Sequence, residues 1–280
     1  MMQISFLALS EPAPDVANVE DRVVAVDGGK ITVRVYTPAG AGPFPAHVYF
    51  HGGGFWLGDL DFSDGTCREL CDGAECVVVS VDYRLAPEHT YPTAPEDSFA
   101  ALRWTVEHAE ELDIDLARVS VGGASAGGNL AAVVALMARD RGGPPLMLQV
   151  LEIPVTDLTM GQPSIVENGE GYLLTRAAME AYRGFYLADL ADAKQTYASP
   201  LLADDLRNLP PAVVMTSEMD PLRDEGEAYA ARLRDAGVPV TAKRWDGQVH
   251  GSSSMTAILP SARAFRSEVI NALREAYARG

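Results

Sequence analysis

Apolar positions along the chain follow two alternating rhythms. VVAV (23–26) and ITVRVYT (31–37) read as strands, separated by the turn residues Asp27, Gly28 and Gly29. AHVYF (46–50) predicts a third strand, which runs straight into three glycines. CVVVSV (76–81), RVSVGG (118–123) and MLQVLEI (147–153) are nearly continuous apolar runs of strand length, as a sheet covered on both faces requires. Between them, residues 94–111 repeat Phe99, Leu102, Val106 and Ala109 at helical spacing, and the Ala-rich segment 129–140 predicts another helix. Further on, AVVMTS (212–217) and VTAKRW (240–245) predict strands, and 225–236 and 260–278 predict helices.

Strand and helix alternating in this way imply an α/β fold, with a mostly parallel central sheet and helices on both faces. The rhythm breaks over 155–205, where polar loops surround one helix, TRAAMEAYRGFYL (175–187). That stretch reads as an insertion over the C-terminal ends of the strands, where ligands of such sheets bind.

Composition narrows the function. The net charge of −17 opposes nucleic acid or an anionic membrane surface as partner. The N-terminus has no basic n-region and only ISFLAL as an apolar run, too short for a signal core. No run approaches the ~20 apolar residues of a membrane span. The expectation is a soluble, cytoplasmic protein. Cys67, Cys71 and Cys76 are odd in number and have no nearby histidine to complete a zinc site, so buried free thiols and no metal are expected.

The chemistry begins at GGASAGGN (122–129), between a buried strand and an Ala-rich helix. Gly123-Ala124-Ser125-Ala126-Gly127 fits G-x-S-x-G, a strained turn that lifts the serine hydroxyl above the sheet and tolerates only small neighbours. A Gly-Ser turn or an anion site at a helix N-terminus would share the pattern. A serine nucleophile needs a base. Of five histidines, His250 lies in a loop after the last predicted strand, at the same end of the sheet as Ser125; His47 lies inside a strand and His108 on a helix. Asp220, just after the preceding strand, is the preferred carboxylate, with Glu218 and Asp224 as rivals. The order Ser125, Asp220, His250 is the nucleophile–acid–base order of α/β-hydrolases.

HGGGFWLGD (51–59) then acquires a purpose. A tetrahedral intermediate needs preorganised N–H donors, which bare glycine backbone can supply. Gly53, Gly54 and Ala126 are the candidate oxyanion donors. A phosphate loop drawn from Gly53 to Gly58 fails because Asp59 stands where lysine is required. Phe55 and Trp56 beside that loop, with Tyr182, Phe185 and Tyr186 on the inserted helix, are candidate pocket walls, although aromatics at helical spacing also suit a core.

With these blocks in view, the chain resembles the hormone-sensitive-lipase-like carboxylesterases, the bacterial family IV α/β-hydrolases. HGGGFWLGD, DYRLAPEHTYPTAPED (82–97), GASAGGNLAA (123–132), ENGEGYLLT (167–175), DPLRDEG (220–226) and VHG (249–251) carry the resemblance. It implies a cofactor-independent serine esterase of short acyl esters, with Ser125, Asp220 and His250 as triad. It also implies a small helical cap. The expected organisation is a short cap segment at 1–22, a hydrolase core at 23–154 and 206–280, and a cap insertion at 155–205. Homodimers are common among such proteins. Ala124 stands where the family usually has Asp or Thr, and Ser252 where Phe is usual. Arg84 and Glu88 are expected to pair and fix a loop. The alternatives are an amide or lactone hydrolase with the same triad, or a non-catalytic small-molecule receptor of this fold, which would lack the base histidine.

Overall fold

The computed structural model describes residues 9–279. Its eight strands are β1 (Asn18–Val26), β2 (Gly29–Thr37), β3 (Phe44–Phe50), β4 (Val77–Asp82), β5 (Ile114–Ala124), β6 (Leu148–Glu152), β7 (Ala212–Met219) and β8 (Val240–Val249). They form one sheet in the order β1-β2-β4-β3-β5-β6-β7-β8. β1 and β2 make a hairpin in which Val26 faces Gly29, closed by Gly28 at φ +70°. β2 pairs antiparallel with β4, and every later pairing is parallel.

All eight strands expected from the sequence are present. β1 starts earlier than expected, so residues 18–22 pair with β2 and belong to the sheet rather than to a cap segment. Residues 1–8 of that expected segment lie outside the described residues.

The helices are α1 (Leu60–Ala74), α2 (Thr93–Glu107), α3 (Ala126–Asp140), α4 (Ser164–Glu167), α5 (Arg176–Tyr186), α6 (Arg223–Asp235) and α7 (Pro260–Tyr277). α1 has no counterpart in the sequence reading. Asp59 caps it by accepting from the Phe62 N–H at 2.7 Å, and it buries Leu60, Ser63, Cys67, Leu70, Cys71 and Ala74 at helical spacing. Serine and two cysteines in that stripe dilute the apolar signal.

Residues alternate between two cores across the sheet. Ala46, Val48 and Phe50 of β3, Val77, Val79 and Val81 of β4, and Val119 and Val121 of β5 share one core with α2, α3 and α6. Tyr49, Val78, Leu148 and Val150 face α1 and α7. Also on that second face, His47 Nδ1 hydrogen-bonds Ser120 Oγ at 2.8 Å, and Ser120 Oγ hydrogen-bonds the Tyr277 hydroxyl at 2.6 Å. Burial lowers the His47 pKa to about 3, so the ring is neutral. The three cysteines are buried free thiols, and burial pushes Cys67 and Cys71 up to about 12, which leaves them inert.

Arg84 does not pair with Glu88. Its Nε and Nη2 donate to the Asp97 carboxylate at 2.9 and 2.7 Å, and Asp97 is fully buried in the first turns of α2. A bidentate grip on a buried carboxylate outweighs an ion pair with an exposed one. Among the described residues no helix is long and apolar enough to cross a membrane.

Candidate active site

Ser125 joins β5 to α3 with φ +59° and ψ −116°, a conformation that a non-glycine residue keeps only when its surroundings hold it. Its N–H donates to the Glu152 carbonyl at 2.8 Å, and its own carbonyl accepts from Val155 and Asn129 N–H, both at 3.1 Å. The flanking glycines are obligatory. A Cβ on Gly123 would lie 2.3 Å from the Phe50 carbonyl oxygen, and one on Gly127 would lie 1.9 Å from the same atom. Strand and helix thus meet around the serine with no room for a methyl group.

β7 and β8 deliver the other two groups. Asp220 follows the last residue of β7 directly and is 1 % exposed; His250 follows the last residue of β8. His250 Nε2 lies 3.0 Å from Ser125 Oγ, and Nδ1 lies 2.7 Å from Asp220 Oδ2. The other carboxylate oxygen of Asp220 accepts the Leu222 N–H at 2.9 Å. With Nδ1 protonated and facing Asp220, Nε2 is free to accept the serine proton. The rivals do other things: Glu218 accepts from Gly247 N–H, and Asp224 accepts from Ser164 N–H and pairs with Arg223.

The HGGG loop folds against this serine. A Cβ on Gly52 would lie 3.0 Å from the Ala124 carbonyl oxygen and 3.6 Å from Ser125 Cβ. Gly53 (φ +125°), Gly54 (φ +63°) and Phe55 (φ +67°) run in succession through positive φ, and Trp56 and Leu57 N–H close the turn onto the Gly53 carbonyl. The N–H groups of Gly53, Gly54 and Ala126 donate to no protein acceptor among the described residues.

His51 has a role that the sequence reading missed. It is 1 % exposed and stacks on Tyr83 at 4.3 Å, with Nδ1 2.8 Å from the Gly52 carbonyl, while the Tyr83 hydroxyl donates to the His51 carbonyl at 2.8 Å. Burial lowers its pKa to about 4, so it is a neutral brace for the glycine turn. A histidine directly before the glycines was the available signal. Asn168 was missed too. Its Nδ2 donates to the carbonyls of Glu218 and Asp220 at 3.2 and 3.1 Å, and Ser164 Oγ donates to that of Pro221 at 2.6 Å. The inserted segment is thereby stitched to the loop that carries Asp220.

The aromatic residues divide. Phe55 and Tyr186 stack at 3.9 Å with 2 % and 0 % exposure, so they are core and not an open wall. Trp56 meets Tyr182 at 5.4 Å and Phe185 at 5.2 Å, and Phe185 is 38 % exposed. Tyr182 packs against Gly54, where a Cβ would lie 2.7 Å from its ring. α5 buries only Tyr186 and otherwise lies across the aromatic end of the glycine loop.

Residues 47–254 match the family model described as the α/β hydrolase fold. Esterase LipI of Mycobacterium tuberculosis is 44 % identical over 264 residues, covering 91 % of this chain and 82 % of the relative. An ethyl acetate hydrolase of Pseudomonas putida is 39 % identical over 253 residues, covering 89 % and 80 %. The crystal structure of a thermostable carboxylesterase cloned from a metagenomic library superposes with a TM-score of 0.93 at 43 % identity, covering 97 % of this chain and 92 % of that one.

Proposed function

This chain belongs to the hormone-sensitive-lipase-like carboxylesterases of the α/β-hydrolase fold, and on that footing we propose that it hydrolyses short-chain acyl esters through Ser125, His250 and Asp220. The observation that carries the reading is the continuous contact from Ser125 Oγ through His250 to Asp220, at 3.0 and 2.7 Å, beside a glycine turn with free N–H groups. Ser125 Oγ attacks the ester carbonyl while its proton passes to His250 Nε2. Asp220 keeps Nδ1 protonated and stabilises the imidazolium. The oxyanion accepts hydrogen bonds from Gly53, Gly54 and Ala126. Collapse of the tetrahedral intermediate expels the alcohol, which takes the proton from His250. Water then attacks the acyl-enzyme, giving its proton to His250, and the carboxylic acid leaves with Ser125 regenerated.

Residues 155–205 act as a small cap over this site. Its aromatic face on the glycine loop, with Trp56, Tyr182 and Phe185 crowded together, favours short acyl groups. The relative that acts on ethyl acetate supports the same preference. His250 in contact with the serine speaks against a receptor, whose fold has no use for a base at that position.

The test is hydrolysis of p-nitrophenyl esters from acetate to palmitate by the natural chain and by Ser125→Ala. Turnover of the short esters that falls by orders of magnitude in the variant is the expected result. Turnover that survives the substitution, or none in the natural chain, refutes the assignment.

A further inference from the structure

Glu152 ends β6 in register with Ala124 of β5. Register partners of parallel strands point to the same face, so its side chain lies beside Ala124 on the face covered by α1 and α7. The preceding positions of that stripe on β6 are Leu148 and Val150, both in the apolar core. A carboxylate as the third member, 1 % exposed, is a costly choice that nothing in the packing of the sheet demands.

The backbone at this point holds the serine. The Glu152 carbonyl accepts the Ser125 N–H at 2.8 Å, and three residues later the Val155 N–H donates to the Ser125 carbonyl at 3.1 Å. Between them Ile153 bends through φ +41° with its N–H on the Met215 carbonyl at 2.7 Å. Residues 152–155 therefore grip both backbone polar groups of the strained residue.

The side chain of Glu152 is anchored in turn. Arg266 of α7, 7 % exposed, places Nη1 3.5 Å from Glu152 Oε2 and Nε 3.1 Å from Glu69 Oε2, and its Nη2 donates to Thr66 Oγ1 at 3.2 Å. One guanidinium thus ties the end of β6 to α1 and α7.

We propose that Glu152 and Arg266 are positioning residues for Ser125: the buried pair fixes the end of β6, and the end of β6 fixes the strained serine. The inference rests on Ser125 being the nucleophile. A misplacement of about 1 Å at a reacting group can cost roughly 100-fold in rate. A pair that served packing alone would be replaceable by apolar side chains without loss of rate.

The experiment compares the natural chain with Arg266→Met, Glu152→Gln and the double variant Glu152→Leu/Arg266→Met. It measures kcat and KM on p-nitrophenyl acetate, the rate of Ser125 labelling by a reactive phosphonate, and Tm, with rates expressed per titratable serine. Arg266→Met is expected to lower Tm and to lower kcat and the labelling rate by roughly 10- to 100-fold, with KM within about twofold. The double variant is expected to recover Tm while kcat stays about tenfold down, because the buried charge is gone but the anchor is not restored. Glu152→Gln keeps the shape, provides a folded variant if Arg266→Met does not fold, and should lose about five- to tenfold in kcat. A double variant or a Glu152→Gln variant with the natural kcat per serine overturns the proposal. If the phosphonate labels the natural chain at Ser125 and the variants match it, only this inference falls. If it does not label Ser125 at all, the esterase reading falls with it.

Discussion

Gly54→Ala puts a single methyl group into the proposed oxyanion turn. Two costs can be worked from the structure. Gly54 has φ +63°, where an L-residue with a Cβ loses about 1–2 kcal/mol. Its new Cβ would also lie 2.7 Å from Tyr182 Cδ2 and 3.0 Å from Cγ. Ordinary contact starts near 3.4 Å, so turn and ring must separate by about 0.7 Å. The Tyr182 ring also lies 5.4 Å from that of Trp56 on the same loop, so turn and ring share the movement. Loss of an aligned oxyanion donor costs roughly 2.7–4 kcal/mol, or about 10²- to 10³-fold in kcat. The assay is p-nitrophenyl acetate hydrolysis per phosphonate-titrated serine, with a thermal melt alongside. Gly237→Ala is the control, since that residue has φ +83° with nothing within 4 Å of its Cβ. It should lose about 1 kcal/mol of stability and no activity. Gly54→Ala with kcat within about twofold of the natural chain would refute the reasoning that the clash displaces an oxyanion donor at Gly54.

Two further outcomes follow from the same geometry. Asp220→Asn keeps the shape but turns the His250 tautomer around, so kcat should fall about 10⁴-fold while KM barely changes, read in the same ester assay; a loss under tenfold would mean that Asp220 does not set the proton on Nδ1. His47 has its pKa depressed from 6.5 to about 3 by burial. Above pH 6.5 neither state carries the extra proton; as pH falls toward 3 only the unfolded chain gains it, so stability is lost across that window. The loss is roughly 2 kcal/mol at pH 5. Urea midpoints of His47→Gln should therefore fall less steeply below pH 6.5 than those of the natural chain, and parallel slopes would contradict the assignment.

Much of this was legible in the sequence because the signals are local. Alternating or continuous apolar runs bounded by turn residues mark the strands, and small residues around Ser125 mark a turn that admits nothing larger. Chain order places Asp220 and His250 at the same sheet end as Ser125, since successive parallel strands all end there. What needed the tertiary structure involves partners far apart in the chain or signals diluted by polar residues. α1 hides behind a serine and two cysteines in its buried stripe. Arg84 chooses Asp97 over the nearer Glu88 because only the fold buries Asp97. Phe55 and Tyr186, 131 residues apart, become a stacked core pair rather than pocket walls. Asn168 reaches the loop that carries Asp220 from an insertion, and Arg266 reaches Glu152 at the end of β6 from the last helix. Local backbone preference and hydrophobic period are written into a few neighbouring residues, whereas the choice among buried partners is made only when packing removes water from some of them and leaves others exposed.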